Sequence, residues 1–193
     1  SLALDRKTLV LFASDNGGQL NVGADNGPLR AGKQDMYEGG IRVPMCAVWP
    51  GRIKPGSRSN RVALTMDIFP TACEAAGVEI AHEIDGVSFL PTLLGANQAD
   101  EDRLLFWVRR EGGHYGGRAY YAARYGPFKL VQNSPFEPLE LYNLATDPNE
   151  QTPLAKDHPM FNRLFAALRD HICKAGSVPW QRHPVNLDQP LSP

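Results

Sequence analysis

Short apolar runs that alternate with polar and glycine-rich stretches predict strands and helices in the first half of the chain. Residues 9–13 form a continuous apolar run, which is typical of a buried strand in a parallel sheet, and a strand is predicted over 8–13. A second strand is predicted over 42–49 after a long loop that extends through Gly40. A helix is predicted over 66–76, with Thr65 as its N-cap and Gly77 at its end. Strands joined by helices indicate a parallel α/β sheet.

The pattern changes after a polar linker at 97–103, because the apolar positions now predict an antiparallel sheet. Its four strands are expected at 104–109, 119–125, 128–132 and 139–142. A helix is predicted from Pro159 to near Gly176, and its apolar face consists of Phe161, Leu164, Phe165, Leu168 and Ile172. The fold class is therefore α/β followed by a small α+β subdomain. The predicted boundaries are 1–98 for the α/β part, 99–177 for the subdomain and 178–193 for an extended tail.

Composition narrows the class of protein without identifying it. The chain has 193 residues, of which 42% are hydrophobic and 21% charged, as expected of a globular protein with a sizeable core. A net charge of −1 without basic clusters predicts no nucleic-acid partner. No apolar run approaches the ~20 residues of a membrane span. Three cysteines without paired spacing argue against a disulfide framework or a zinc site.

Asp15 and Asn16 follow the first predicted strand and precede two glycines. Ligand sites lie beyond the carboxyl ends of such strands, and these two side chains offer the oxygen ligands that Ca²⁺ and Mg²⁺ prefer. The alternative is an Asx-turn, in which Asp15 or Asn16 caps the next segment and the glycines supply positive φ. The pair by itself leaves both interpretations open.

A second dense stretch, residues 30–44, carries Lys33 on a glycine-flanked loop. A flexible ammonium beside small residues suits a tetrahedral anion, because it neutralises oxygens without demanding planar geometry. The alternative is an ordinary solvated lysine. Glu38, between Tyr37 and two glycines, is expected to hold the loop rather than to act as a base.

Together these stretches resemble the sulfatase family of the alkaline-phosphatase-like superfamily. The resemblance rests on Ser-Asp-Asn-Gly-Gly at 14–18 and on Gly-Lys-x3-Tyr-Glu-Gly-Gly-Ile-Arg-Val-Pro at 32–44. It continues through Leu-Thr-Met-Asp-Ile-Phe-Pro-Thr at 64–71, Asp-Gly-Val-Ser-Phe-Leu-Pro at 85–91, Phe-Lys-Leu-Val at 128–131 and the segment 140–150. The fold that this implies is the C-terminal part of a sulfatase.

The resemblance implies a function and a site. Asp15 and Asn16 would be ligands of a divalent metal, Ca²⁺ or Mg²⁺, and Lys33 would bind the sulfate group of an aryl or carbohydrate sulfate ester. His114, in a glycine-rich loop, is a candidate substrate contact, although a solvated histidine on a surface hairpin is the alternative. The family also implies a periplasmic, secreted or lysosomal location.

The chain departs from the family in one respect, because it contains no Cys/Ser-x-Pro-x-Arg motif from which the formylglycine nucleophile is made. An N-terminal portion of the sulfatase is therefore expected to supply it, and the isolated chain is expected to be inactive. Because Ca²⁺ takes 6–8 oxygen ligands, the metal site is expected to be empty or weakly occupied in this chain. A phosphodiesterase or phosphonate hydrolase of the same superfamily, or a non-catalytic binding or scaffold protein, are the alternative functions.

Overall fold

The computed structural model describes residues 4–99, 103–110 and 118–175, and these form two compact units. The first unit is built from the described residues within 1–26, 31–34 and 39–102. The second is built from those within 27–30, 35–38 and 103–193. Two short segments that precede and follow residues 31–34 therefore belong to the second unit, although they lie far from its strands in sequence.

The first unit contains two short strands, β1 (Val10–Ala13) and β2 (Met45–Val48). They pair antiparallel, with Val10 opposite Val48, so the predicted parallel arrangement is wrong for this pair. The first strand is also not buried on both faces, since Val10 is 53% and Phe12 is 69% exposed. Alternate side chains of one strand point to opposite faces, and here one of those faces is open in the described chain.

The segment between the two strands differs from the predicted loop at its end. Glu38–Ile41 form a short helix, α1, and β2 begins only at Met45. Pro44 cannot donate a backbone hydrogen bond, which places the strand start after it. Its carbonyl oxygen instead accepts a hydrogen bond of 3.4 Å from the backbone N–H of Ser14.

The predicted helix is present as α2 (Ile68–Ala76), preceded by a 3-10 turn over Thr65–Asp67. Gly77 ends it with a left-handed φ of 68°, as predicted. The predicted N-cap, Thr65, lies in the 3-10 turn, and the residue before the helix is Asp67, which makes no side-chain capping hydrogen bond to it. The carboxylate of Asp67 instead accepts hydrogen bonds from the backbone N–H groups of Leu64 (2.8 Å) and Val87 (2.9 Å). A short helix, α3 (Leu90–Leu93), follows.

The second unit is a four-stranded antiparallel sheet in the order β3-β4-β5-β6. The strands are Leu105–Arg110, Ala119–Tyr125, Phe128–Gln132 and Glu140–Asn143, close to the predicted boundaries. The tightest connection is the two-residue turn between β4 and β5, where Gly126 adopts a φ of 54°. Glycine enters this region without the steric penalty of a β-carbon.

The C-terminal helix α4 (Pro159–Ala175) packs its apolar face on this sheet. Leu164 and Leu168 are buried against three sheet residues, which are Ala123, Leu130 and Leu141. Phe165, predicted on the same face, is 42% exposed instead. Within the described ranges no helix has the length and apolar character needed to cross a membrane.

The segments 27–30 and 35–38 are anchored to β6 and its neighbours by polar contacts. The guanidinium of Arg30 lies 3.8 Å from the ring centroid of Tyr37 and donates hydrogen bonds to the hydroxyl of Tyr142 (3.0 Å) and the carbonyl oxygen of Glu150 (2.7 Å). Burial raises the pKa of Tyr37 from the ordinary tyrosine value of 10.0 to about 12. Both segments thus have fixed positions within the second unit.

Candidate functional site

The turn that carries Asp15 and Asn16 begins directly after β1. Asp15 is exposed and Asn16 half-buried, so both side chains are available at the surface of the first unit. The hydroxyl of Ser14 donates a 2.8 Å hydrogen bond to the carbonyl oxygen of Asn16, and the backbone N–H of Gly17 donates one of 2.9 Å to Gly40. The turn is therefore attached to the start of the segment that leads into β2.

The glycines of this turn have a different role from the one expected for an Asx-turn. Neither Gly17 nor Gly18 adopts a positive φ. Gly17 is buried, and a β-carbon added there would overlap the carbonyl oxygen of Gly39 and lie 2.9 Å from the Cα of Gly40. Glycine is required because two backbone segments approach each other closely, not because of its conformational freedom.

The backbone of Lys33 is hydrogen-bonded to the same turn. Its N–H donates a 3.0 Å hydrogen bond to the carbonyl oxygen of Gly18, while its side chain is exposed. Gly32 approaches Gly18 so closely that an added β-carbon would overlap that carbonyl oxygen. The neighbours Ala31 (φ 62°) and Gln34 (φ 87°) adopt left-handed conformations that are rare for residues with a β-carbon. The loop is thus held in a specific conformation against the turn.

A third residue of the first unit, Asn26, joins these two segments. Its amide oxygen accepts a 2.8 Å hydrogen bond from the backbone N–H of Gly18. Its amide nitrogen donates to the carbonyl oxygens of Gly18 (3.2 Å) and Ala31 (2.9 Å). Nothing in the sequence marks Asn26 as a functional residue, because an asparagine before a Gly-Pro pair is typical of any turn.

The donor chemistry of the turn fits a hard divalent cation in part. The carboxylate of Asp15 and the amide of Asn16 are oxygen donors of the kind found around Ca²⁺ and Mg²⁺. In the part of the chain that the structure describes, no group of three or more His, Cys, Asp and Glu residues is placed to hold a metal ion. The pair would therefore form one part of a larger ligand set.

A buried charge cluster in the second unit includes Glu38, which is expected from the sequence to hold the loop. The Nζ atom of Lys129 lies 2.8 Å from Oε1 of Glu38 and 2.9 Å from Oε1 of Glu150. The side chains are at most 4% exposed. The Glu38 backbone N–H also donates a 2.6 Å hydrogen bond to the Glu150 carboxylate. Glu38 thus has the structural role expected of it, whereas His114 lies outside the described residues.

Comparisons with known proteins agree on the family. A family model described as N-sulphoglucosamine sulphohydrolase, C-terminal, matches residues 31–177. Steryl-sulfatase of Mus musculus is 30% identical over 224 residues, which cover 96% of this chain and 36% of the mouse protein. N-acetylgalactosamine-6-sulfatase of the same species is 40% identical over 115 residues, covering 56% and 22% of the two chains. The crystal structure of Ps i-CgsB in complex with k-i-k-neocarrahexaose has a TM-score of 0.75 and 28% identity, and the match covers 86% of this chain and 37% of that one.

The chain belongs to the sulfatase family and corresponds to a C-terminal portion of its members. Its fold class, an α/β part followed by a small antiparallel sheet with a C-terminal helix, is the one predicted from the sequence. The chain spans about a third of the length of mouse steryl-sulfatase and less of the second relative. Sulfate ester hydrolysis is the general activity of this family.

Proposed function

We propose that this chain contributes two metal ligands, Asp15 and Asn16, and a sulfate-binding lysine, Lys33, to a sulfuric ester hydrolase. The observation that carries the proposal is the 3.0 Å hydrogen bond from the Lys33 backbone to Gly18, two residues after Asn16. This bond joins the loop of Lys33, an exposed residue, to the turn that carries the two oxygen donors, and both lie in the first unit. The family membership supplies the reaction class.

The roles proposed for Lys33, Asp15 and Asn16 follow from the charge of a sulfate ester. Its oxygens are negative, and charge shifts to the departing alcohol oxygen as the S–O bond breaks. Lys33 would bind the sulfate oxygens as a compact point charge on a flexible stem. Asp15 and Asn16 would hold a Ca²⁺ or Mg²⁺ ion, which when bound supplies further positive charge at the sulfate group. Positioned charge of this kind is usually the largest single contribution to catalysis.

The nucleophile has to come from elsewhere, since the formylglycine motif Cys/Ser-x-Pro-x-Arg does not occur in these 193 residues. We propose that an N-terminal portion of the sulfatase carries it, together with further metal ligands. The oxygen donors of Asp15 and Asn16 would then complete a ligand set that they cannot form alone.

For the substrate we propose a carbohydrate sulfate, with an aryl sulfate as a convenient synthetic probe. The relative with 40% identity is named as an N-acetylgalactosamine-6-sulfatase, and the structural neighbour was solved with an oligosaccharide. The exposed position of Lys33 suits an extended polar ligand that approaches from solvent.

The isolated 193-residue chain is expected to show no sulfatase activity. It lacks the nucleophile motif, and positioned charges without a nucleophile cannot displace the alcohol from the sulfur atom. The measurement is release of a chromogenic phenol from an aryl sulfate by the purified chain, with and without 5 to 10 mM Ca²⁺ (a range on the order of what weak sites need). Turnover that copurifies with the chain and disappears in the Lys33→Ala variant would contradict the expectation, whereas turnover that persists in that variant indicates a contaminant.

In an intact polypeptide that includes the nucleophile-bearing portion, Lys33→Ala is expected to lower kcat/KM for the aryl sulfate about 100-fold. This is the usual cost of removing one group that stabilises developing charge. The matched control is Lys54→Ala, because Lys54 is an exposed lysine of the same unit on a different turn, and it is expected to leave kcat/KM within about twofold of wild type. Equal rates for the two variants would refute the assignment of Lys33. Faster turnover of a phosphonate monoester or phosphodiester than of the sulfate would refute the reaction class.

A further inference from the structure

The side chain of Asn26 makes three hydrogen bonds to backbone groups of the two loops that carry the candidate site residues. The side chain accepts from the N–H of Gly18 and donates to the carbonyl oxygens of Gly18 and Ala31. A side-chain amide that forms hydrogen bonds with both the N–H and the C=O of one residue makes the same pair of bonds as a residue in a neighbouring strand. The half-buried Asn26 thus links Gly18 to Ala31 through its side chain, in addition to the backbone hydrogen bond between Lys33 and Gly18.

The three hydrogen bonds end on the residues that flank the proposed functional groups. Gly18 follows Asn16 by two positions, and Ala31 precedes Lys33 by two. The carbonyl oxygen of Gly18 accepts from both Asn26 and the Lys33 backbone, at 3.2 and 3.0 Å. The amide of Asn26 is therefore the shared partner of the metal-ligand turn and the lysine loop.

The packing around this amide leaves little freedom for the loop. A β-carbon added to Gly32 would lie 3.0 Å from Nδ2 of Asn26, and one added to Gly18 would lie 2.8 Å from Oδ1. Ala31 is held at φ 62°, a conformation that persists only where surrounding contacts determine it. The donated bond to the Ala31 carbonyl oxygen is one such contact.

We propose that Asn26 is a positioning residue, which sets the place of Lys33 relative to Asp15 and Asn16 and so aligns the sulfate group with the metal ligands. This inference rests on the proposed function. It assigns to Asn26 no contact with substrate or metal, since its polar atoms are engaged with backbone groups. Alanine at this position would leave one N–H and two carbonyl oxygens without these partners, and the lysine loop could shift.

The test is a double-mutant cycle in the intact polypeptide, with kcat/KM for an aryl sulfate as the readout. Asn26→Ala is expected to lower kcat/KM about 10- to 100-fold, because a shift near 1 Å in a positioned group has an effect of that size. In the Lys33→Ala background the same change is expected to cost less than about threefold, since the residue that it positions is already absent. Asn21→Ala is the matched control, because Asn21 is an exposed asparagine of the same loop, in the 3-10 turn Leu20–Val22.

The outcomes separate this inference from the proposed function. If Lys33→Ala alone has no effect, the proposed function fails. If Lys33→Ala lowers kcat/KM but Asn26→Ala does not, or if Asn26→Ala has the same effect in both backgrounds, the positioning role is refuted. A purely structural role would lower activity equally in both backgrounds, so the cycle distinguishes it from positioning.

The melting temperature of each variant is measured alongside. If Asn26→Ala does not fold, the cycle is repeated with Asn26→Ser, which keeps a polar group but is too short to reach both carbonyl oxygens. The Ser variant is expected to show the same dependence on Lys33 with a smaller loss of kcat/KM. Equal losses with and without Lys33 would refute the positioning role in this variant as well.

Discussion

Replacing Lys129 with methionine is expected to lower the free energy of unfolding by about 3–5 kcal/mol at pH 7, the usual cost of removing one partner from a buried ion pair. The side chain of Lys129 is fully buried, and its Nζ atom lies within 3 Å of the carboxylates of Glu38 and Glu150. Methionine has a similar volume but leaves two carboxylates without their cation. Since whole domains are stable by only about 5–15 kcal/mol, a loss of this size is a large part of the total.

The loss is expected to be smaller at pH 5 than at pH 7. Burial raises the pKa of Glu150 above its ordinary value of 4.5, whereas Lys129 lowers it, so removing the lysine raises that pKa further. A carboxyl with a raised pKa takes up its proton more readily in the folded chain than in the unfolded chain. The stability that this proton uptake contributes is fully present below the pKa of the carboxyl in the unfolded chain. It is lost as the pH rises through the pKa of the same carboxyl in the folded chain.

Urea denaturation followed by circular dichroism at both pH values checks these two expectations. Lys156→Met is the matched control, because Lys156 is an exposed lysine of the same unit, and its substitution is expected to change the stability by less than about 0.5 kcal/mol. Adding Glu150→Gln to Lys129→Met should recover part of the loss at pH 7, since one uncompensated charge is then removed. A Lys129→Met variant as stable as the control at pH 7 would show that the buried cluster does not stabilise the unit.

The second unit was easier to predict than the first because its strands and helix carry their own patterns. Strands β4 and β5 have the predicted boundaries, since a Gly-Pro turn lies between two runs that contain aromatic and apolar residues. Lys129 is the exception within them. A charged residue beside apolar neighbours predicts a solvated position on a strand, and only its tertiary partners, which are 91 and 21 positions away in sequence, allow its burial.

The first unit was harder to predict because its strands are short and the two strands that pair are far apart in sequence. The continuous apolar run of β1 predicted burial on both faces, but Phe12 is 69% exposed in the described chain. Asp15, Asn16 and Lys33 were selected from residue type and from the family resemblance, and no contact visible in the sequence joins them. Gly18 and Asn26, which join the two loops, have no periodic pattern that could have identified them.

Gly17→Ala is expected to destabilise the protein by about 3 kcal/mol or more, at the upper end of what overpacking costs. The added β-carbon would overlap the carbonyl oxygen of Gly39 and lie 2.8 Å from the carbonyl carbon of the same residue. These are backbone atoms, so no side-chain rotation can relieve the overlap. Either the turn with Asp15 and Asn16 or the start of α1 must move, and the 2.9 Å hydrogen bond from Gly17 to Gly40 is lost with it.

Gly23→Ala is the control variant, because it measures the loss of stability on replacing a glycine where the added β-carbon meets no neighbouring atom. Gly23 has a φ of 90° with open space around the added β-carbon, so it is expected to lose only about 1–2 kcal/mol from its left-handed conformation. Gly17 has no positive φ, so Gly17→Ala introduces no strain of that kind. If Gly17→Ala loses at least as much stability as Gly23→Ala, the loss therefore has to come from the close approach of two backbone segments. If thermal and urea denaturation show Gly17→Ala to be the milder variant, the turn tolerates displacement, and Gly17 does not fix the positions of Asp15 and Asn16, the proposed metal ligands. If Gly17→Ala is the more destabilising variant, the first glycine of the motif is required by the contact between the turn of residues 14–18 and residues 39–40.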